Sequence, residues 1–578
     1  MKKKEIAVLQ RIEEAERWRD SYYKDNWRSY IDLYRSKLPE KRDGSNLFVP
    51  YTFMTCEVVR TRLAESLFSS RPYVSLLPRN EGDADKAKAA QTLLDWQYTD
   101  RMKIESVFRK DAISDLVVLG TLVMYTGWSK KTRKIRRMEK VPTELVDENG
   151  PVLNLDGTPM MVDIRTEVDV EDVVYDDPVC QCIDLFDFFV DPNATDIENA
   201  RYCGHKEYRT KSDLKQIYPK INWKGLEPVS QIESGRQIRM EDDDKTIPAD
   251  DYSSGDDNGL YEVLQYWEDG RHCVIINRKQ MVLDEPNPFW HGMKPYDKTV
   301  YTPLANSFYG AGIPQALESL QSELNTVRNQ RIDYNSMALR RMWKVRKGSS
   351  LTAKDLVWRQ NGIISLDNMD DVLEIPVSPL PASAFTNESV IKGDMRDTTG
   401  CHDIIMGLAN TNETATTTMT KDNNASIRFK DVVNNLADDI MVPVSKKCIS
   451  LDQQFMAEER MVRLLDAESD EIIFISPDDI AGEYDIIYVG SSVDPMANKE
   501  LKQQRMVNIF NMLAANPLYQ GDPEATKNLM RELLKAYDIE DVERMLPQGG
   551  MNGQGNPMAA MAGGPQNGVL PGLPGPIE

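Results

Sequence analysis

The chain has 578 residues, 41% of them hydrophobic and 28% charged, the balance of an ordinary globular protein with room for several lobes. Its net charge of −22 disfavours a tight nucleic-acid clamp, because Lys and Arg neutralising phosphate supply nearly all non-specific affinity; a surface along which a duplex slides stays compatible. No apolar run approaches the roughly 18 residues of a membrane span, Met1-Lys2-Lys3-Lys4 leads into charge rather than a signal-peptide core, and seven cysteines without repeated spacing predict reduced thiols in a cytoplasmic product.

Residues 3–37 read as a charged helix with aromatic points at Trp18, Tyr22, Trp27, Tyr30 and Tyr34, expected to pack on the body, a subunit contact being the rival reading. Pro50 introduces a helix with Cys56, Val59, Leu63 and Leu67 on one face, and residues 83–100 and 103–119 predict two more helices of the same shell. From Thr121 to Asp191 the pattern changes to short strands, with turn signals at Asp147-Glu148-Asn149-Gly150 and Asp156-Gly157. Cys180 and Cys182 are expected on one strand face. Thr210 and Asp213 form a capping box for a short helix. Residues 233–259 carry Asp242, Asp243, Asp244, Asp250, Asp251, Asp256 and Asp257 among Gly and Ser, a composition that predicts a mobile surface loop. A hairpin follows, residues 260–267 and 273–283, turned at Asp269-Gly270.

Residues 311–455 organise the rest. Ile313, Leu317, Leu320, Leu324 and Val327 recur at helical steps, and Tyr334 and Ala338 resume the stripe, so a helix roughly 45 Å long is expected over 313–342. An insert at 343–382 has a β-rich run at Gly362-Ile363-Ile364-Ser365-Leu366 and ends in Pro376, Pro379 and Pro381, which no helix crosses. A second helix is expected from Ser383 to Thr399, stopped by Gly400, then a Thr- and Asn-rich loop. Phe429, Val433, Leu436, Ile440, Val444, Cys448, Leu451 and Phe455 make one face of a third helix, in which Pro443 predicts a kink. Residues 471–475 and 484–489 read as strands returning to the sheet lobe that precedes the long helices. Residues 498–515 and 523–546 read as terminal helices, and 547–578 as a disordered tail.

Gly312-Ile313-Pro314 opening a helix with Gln321 and Asn325, then Thr399-Gly400, Met406-Gly407 and Thr414-Ala415-Thr416 before a helix with Arg428-Phe429, resembles the portal (head–tail connector) proteins of tailed bacteriophages. Asp187-Phe188-Phe189-Val190-Asp191-Pro192-Asn193-Ala194 followed by Ala200-Arg201-Tyr202 looks like that family's wing segment. Co-occurrence and order over roughly residues 40–510 carry the likeness.

The resemblance implies an α+β, portal-like fold. Its parts would be a mixed α/β wing from residues 1–310 with 461–497, stem helices at 311–342 and 383–400, and a small α/β clip at 343–382 that receives the head-completion adaptor. A channel loop at 401–422, a long kinked helix at 423–460 and a helical crown at 498–546 complete it. It further implies a homo-oligomeric ring, usually a dodecamer, at one capsid vertex of the virion, assembled in the host cytoplasm, the conduit for double-stranded DNA packaging and ejection. Terminase, the head–tail adaptor, the major capsid protein and scaffolding protein are the implied partners; no cofactor, metal, membrane or enzymatic activity is implied. Asn410, Thr411, Asn412, Thr414, Thr416 and Lys421 are the expected channel-loop positions, of which Asn410, Thr411, Asn412 and Thr414 present short polar groups that touch phosphates without an electrostatic trap.

The search for other chemistry gives little. No Walker loop is present, so the chain is not a packaging ATPase. The four histidines, His205, His272, His291 and His402, lack ligand spacing, and there is no Cys-x-x-Cys pair for zinc. Asp187 and Asp191 with the acidic run support a rival reading, a metal-dependent hydrolase, though a structural turn at Asp187–Asp191 is favoured; an open structural scaffold is the other rival. Arg328, Arg331, Arg340, Arg341, Lys344, Arg346 and Lys347 form a basic cluster with only Asp333 opposing them in sequence. It reads as a solvated face, a protein contact or a surface that brushes DNA phosphate.

Overall fold

In the computed structural model the described residues are 3–38, 44–69, 71–144, 146–147, 150–151, 161–229, 235, 239, 259–339, 342–348, 351–352, 356–357, 363, 372–376, 378, 383–401, 427–457, 459–463, 472–489 and 530–531. Nearly all belong to one unit, Met1–Leu464 with Glu471–Met496; a second, Leu465–Asp470 with Ala497–Glu578, is described only at Met530 and Arg531. Apart from Met530, Arg531 and Cys401, the expected crown helices, the tail and the channel loop lie outside the described residues.

The N-terminal stripe forms helices Lys3–Arg19 and Asp25–Tyr34, joined by a π turn at Asp20–Lys24. Val8, Leu9, Ile12 and Ala15 pack on Phe189, Tyr202, Leu264 and Tyr266, while Trp27 meets Phe186 edge-on at 5.5 Å. Arg19, 5% exposed, donates to the Phe188 carbonyl at 3.0 Å. The aromatic stripe therefore packs on the body, with Tyr22 left outside.

Helices Tyr51–Leu67, Ala84–Trp96 and Ile113–Leu119 share one apolar core with the start of the first long helix (Ile313, Leu317, Leu324) and with the third (Val433, Leu436, Ile440, Val444, Cys448). Beside it lie two sheets, mostly antiparallel meander. One runs in the order 280–286, 271–276, 260–268, 202–210, 188–190; the other in the order 296–300, 121–144, 161–183. The result is an α+β fold in which the helices carry the chain between sheets.

The strand pattern departs from the sequence reading in three places. The short runs expected after Thr121 are two long strands, Thr121–Glu144 and Met161–Ile183, paired from Val123↔Ile183 to Glu144↔Met161. Charged residues facing one another across a two-stranded ribbon sustain pairing that needs no core. The expected strand over 273–283 is two strands, because Asn277 and Arg278 take positive φ (48° and 54°) and turn the chain back. The return strands do not rejoin the large sheets. Tyr484–Tyr488 pairs with Val74–Pro78 among the shell helices, and Ile472–Ile475 pairs with Arg460–Arg463.

Two close approaches explain glycines in the opening motif. A Cβ on Gly312 would stand 2.4 Å from the Val118 carbonyl oxygen, and one on Gly120, at φ 81°, 2.4 Å from the Ala311 carbonyl carbon. The ribbon and the first long helix thus leave the body from one crossing, tied by Gly310 N–H to Thr121 Oγ1 at 2.9 Å. That helix runs Ile313–Leu339 and the second runs Ser383–Thr399, followed by Gly400 at φ 72°. The third is continuous over Ile427–Phe455 but passes through a π turn at Ala437–Met441, directly before Val442 and Pro443. Proline has no N–H to give and its ring crowds the preceding turn, so a widened turn is the local answer. In the insert, Trp343–Val345 pairs with Val372–Glu374; of the run expected at 362–366 only Ile363 is described. All seven cysteines are free, and Cys180 and Cys182 both pack against the main core.

Candidate functional site

The first two long helices, packed side by side, carry several exposed apolar side chains. Only the base of the first is buried: beyond Leu324 its stripe is half-buried at Tyr334 and exposed at Ala338. Met337, Leu339, Phe385 and Val390 are 58%, 84%, 56% and 58% exposed, and the small two-stranded tip adds Met342 and Leu373. Water-facing apolar groups at this density mark a contact surface.

One side of the first helix is covered by this chain in an unexpected way. Gln321, Asn325, Asn329 and Asp333 stand at four-residue steps, hence one above another, and bind the backbone of the non-helical stretch at residues 45–50 that leads into the helix at Tyr51. Asp333 Oδ1 accepts from Ser45 N at 2.7 Å, Asn329 Oδ1 from Leu47 N at 2.8 Å and Asn325 Oδ1 from Val49 N at 2.9 Å. Asn329 Nδ2 and Gln321 Nε2 donate back to the Leu47 and Val49 carbonyls at 3.0 and 2.7 Å. The spacing is visible in the sequence, where Gln321 and Asn325 belong to the opening motif and Asp333 to the basic cluster.

The basic cluster is divided. Arg328 and Arg331 converge on Glu388 of the second helix at 3.2 and 2.8 Å, and Lys392 reaches the same carboxylate at 2.9 Å. Glu388, 13% exposed, thus corrects the expectation that only Asp333 opposes the cluster: the opposing charge comes from a helix some 60 residues on. Arg331 also lies over the Phe385 ring at 5.7 Å. Lys344, Arg346 and Lys347 stand exposed at the tip, while Arg340 and Arg341 lie outside the described residues, as do Asn410, Thr411, Asn412, Thr414, Thr416 and Lys421.

The carboxylates of the hydrolase reading are each engaged by basic groups. Asp191 accepts two bonds from Arg201, at 2.5 and 2.8 Å, and the guanidinium holds its pKa below the usual carboxylate range. Asp187 is pushed up to about 6 by burial, with Gly235 N–H at 2.9 Å and Lys206 at 3.8 Å. Within the acidic segment expected to be mobile, Gly235 and Arg239 are described, and both are anchored: Arg239 makes paired bonds of 2.6 and 2.8 Å to Asp115 and one of 2.7 Å to Asp184. His205 and His272 are pushed down to about 4 by burial and bond Tyr296 and Gln265, which makes them core residues. Among the described residues no group of three or more His, Cys, Asp or Glu is placed to hold a metal ion, and no helix is long and apolar enough to cross a membrane.

Residues 6–566 match a family model described as "Phage SU10 portal protein", nearly the whole chain. No curated protein matches the chain.

Proposed function

Because this chain belongs to the Phage SU10 portal protein family, we propose that it closes into a ring, twelve subunits being the expected number, and serves there as the conduit for double-stranded DNA. The family is structural rather than enzymatic, and its role lies at the portal vertex of the virion. The observation that carries the ring is the pair of long helices, whose large apolar side chains Met337, Leu339, Phe385 and Val390, spread around the helices, are more than half exposed among the described residues. In a ring, such groups are buried by the neighbouring subunits, which is how a heterologous contact closes.

In this reading the helices form the stem and the exposed tip with Lys344, Arg346 and Lys347 forms the clip, where the head–tail adaptor and the terminase motor dock. Residues 402–422 line the channel, with Asn410, Thr411, Asn412, Thr414, Thr416 and Lys421 toward DNA. Short neutral groups there keep the duplex sliding, in keeping with the overall net charge of −22. Pro443 and the π turn before it set the course of the third helix away from that loop. Major capsid and scaffolding proteins are the partners around the rim, and assembly takes place in the host cytoplasm.

Electron microscopy of the purified chain, with mass photometry on the same sample, tests the proposal. Closed rings with a hole wide enough for a duplex are the expected result. A monomer that persists across concentration and salt, or open filaments, would overturn it.

A further inference from the structure

The long ribbon takes no part in the stem reading, and most of its charges are sorted by strand. Thr121–Glu144 carries Lys130, Lys131, Arg133, Lys134, Arg136, Arg137 and Lys140 against Glu139 and Glu144; Met161–Ile183 carries Asp163, Glu167, Asp169, Glu171, Asp172, Asp176 and Asp177 against Arg165, which stands opposite Lys140. Only the root of the ribbon belongs to the body. Leu122, Val123 and Met124 are fully buried, and Asp177 is held by Arg101 and Arg460. From Lys130 to Met138 the basic strand is exposed apart from half-buried Thr132 and Ile135.

Part of this charge is used within the ribbon: Lys130 meets Asp176 at 3.1 Å, and Arg133, Lys134 and Arg136 stand opposite Asp172, Glu171 and Asp169. The rest is not matched across it. Lys131 and Arg137 stand opposite Tyr175 and Val168, while Glu167 and Asp163 stand opposite Met138 and Pro142. Both long edges are also open among the described residues. Tyr296–Val300 covers the basic strand only at Thr121–Tyr125, and the acidic strand is the last of its sheet. An exposed edge offers a row of backbone donors and acceptors to another strand, and its side chains decide which strand is admitted.

The geometry points to a second copy of this chain as the occupant: the basic edge of one subunit's ribbon lies against the acidic edge of the next subunit's ribbon. Copies related by rotation about a ring axis keep their ribbons in one direction. The descending strand of one then always meets the ascending strand of its neighbour, an antiparallel contact between unlike charges at every interface. A two-fold pairing of basic edge on basic edge is repelled, so the charge pattern selects the ring-forming contact over the symmetric dimer. This inference rests on the ring reading above and names where subunits join outside the stem.

Two full-length variants test it. In the first, Lys131→Glu, Arg133→Glu, Lys134→Glu and Arg137→Glu make both strands acidic; in the second, Glu167→Lys, Asp169→Lys, Glu171→Lys and Asp172→Lys make both basic. Mass photometry and negative-stain microscopy then read the ring fraction of each variant alone and of an equal mixture. Each variant keeps within its own ribbon only the Lys130–Asp176 pair at the root and, in the first, Arg136 opposite Asp169, so a folding defect is not cured by mixing, whereas a docking defect is. The expected result is few rings from either variant and a gain of about tenfold or more in the mixture, the factor that about 1.4 kcal/mol of contact energy gives. Rings from either variant alone, or none from the mixture, with wild-type rings intact, would overturn the ribbon contact and leave the ring reading standing. Absence of wild-type rings would overturn both.

Discussion

Lys447 illustrates a residue whose role follows from its surroundings alone. It sits 2% exposed in the third long helix and donates to Asp297 Oδ1 at 2.7 Å and to the Tyr296 carbonyl at 2.9 Å. Removing one member of a buried ion pair strands the other. Lys447→Met is therefore expected to cost about 3–5 kcal/mol, with Asp297→Asn added to it recovering part of the loss, as measured by thermal unfolding and hydrogen exchange around the helix. The apolar periodicity placed Val444, Cys448 and Leu451 on the buried face, yet it could not announce a buried lysine, because its partner lies 150 residues away. The same burial sets a pH dependence. Asp452 is pushed up to about 7, and Asp297 and Asp187 to about 6, each by burial, so the folded chain keeps protons that the unfolded chain has released above 3.8. Stability from these groups rises as pH falls through 7. His205, His272 and His291, lowered by burial to about 4, act in the opposite sense as pH drops toward and through 6.5, where the unfolded chain takes up protons first. Between about pH 8 and pH 6.5 the two sets nearly offset each other, so the wild-type melting temperature is expected to change little over that range, whereas Asp452→Asn, which removes the largest carboxylate contribution, should make it fall toward pH 6.5. An Asp452→Asn chain whose melting temperature follows the wild-type pH profile would contradict this account of the buried carboxylates.

At the level of elements, the long helices were legible because their apolar steps are regular and Gly400 marks a stop, and the third helix because its stripe runs unbroken to Phe455. What escaped is what depends on a neighbour. Glu388 can be matched to Arg328 and Arg331 only once the second helix is seen to lie beside the first. Of the two return strands, Tyr484–Tyr488 comes back to the part of the chain that precedes the long helices, but to Val74–Pro78 rather than to the large sheets, and Ile472–Ile475 pairs with Arg460–Arg463; pairing leaves no trace in a short apolar run. The stacked Gln321, Asn325, Asn329 and Asp333 are a middle case, regular in sequence but with a function that appears only when residues 45–52 lie along them. Asn329→Ala should release both bonds to Leu47, cost about 1 kcal/mol and speed exchange at the Leu47 amide, while Gln321 continues to hold Val49. Equal acceleration along the whole first helix would indicate loss of helix rather than of the stretch it carries.

For the whole molecule, the decisive feature is where the described residues leave large apolar groups uncovered. The core is continuous from the shell helices to the third long helix and takes in Ile391 and Met395 of the second, but the first long helix is buried only as far as Leu324, and both carry large apolar groups in solvent. A monomer gains nothing from Leu339 at 84% exposure or Phe385 at 56%; a ring gains by burying each against a neighbour. Burying one such side chain contributes about 1.5–3 kcal/mol, and every interface of a closed ring repeats the gain. Replacing both with serine should therefore leave the melting behaviour of the dilute, dissociated subunit unchanged within about 0.5 kcal/mol, because surface positions contribute little to folding. The same change should move ring assembly to markedly higher protein concentration in mass photometry. Equal loss in subunit stability and in assembly would mean that these side chains support the subunit's own fold, and would remove the observation on which the ring rests.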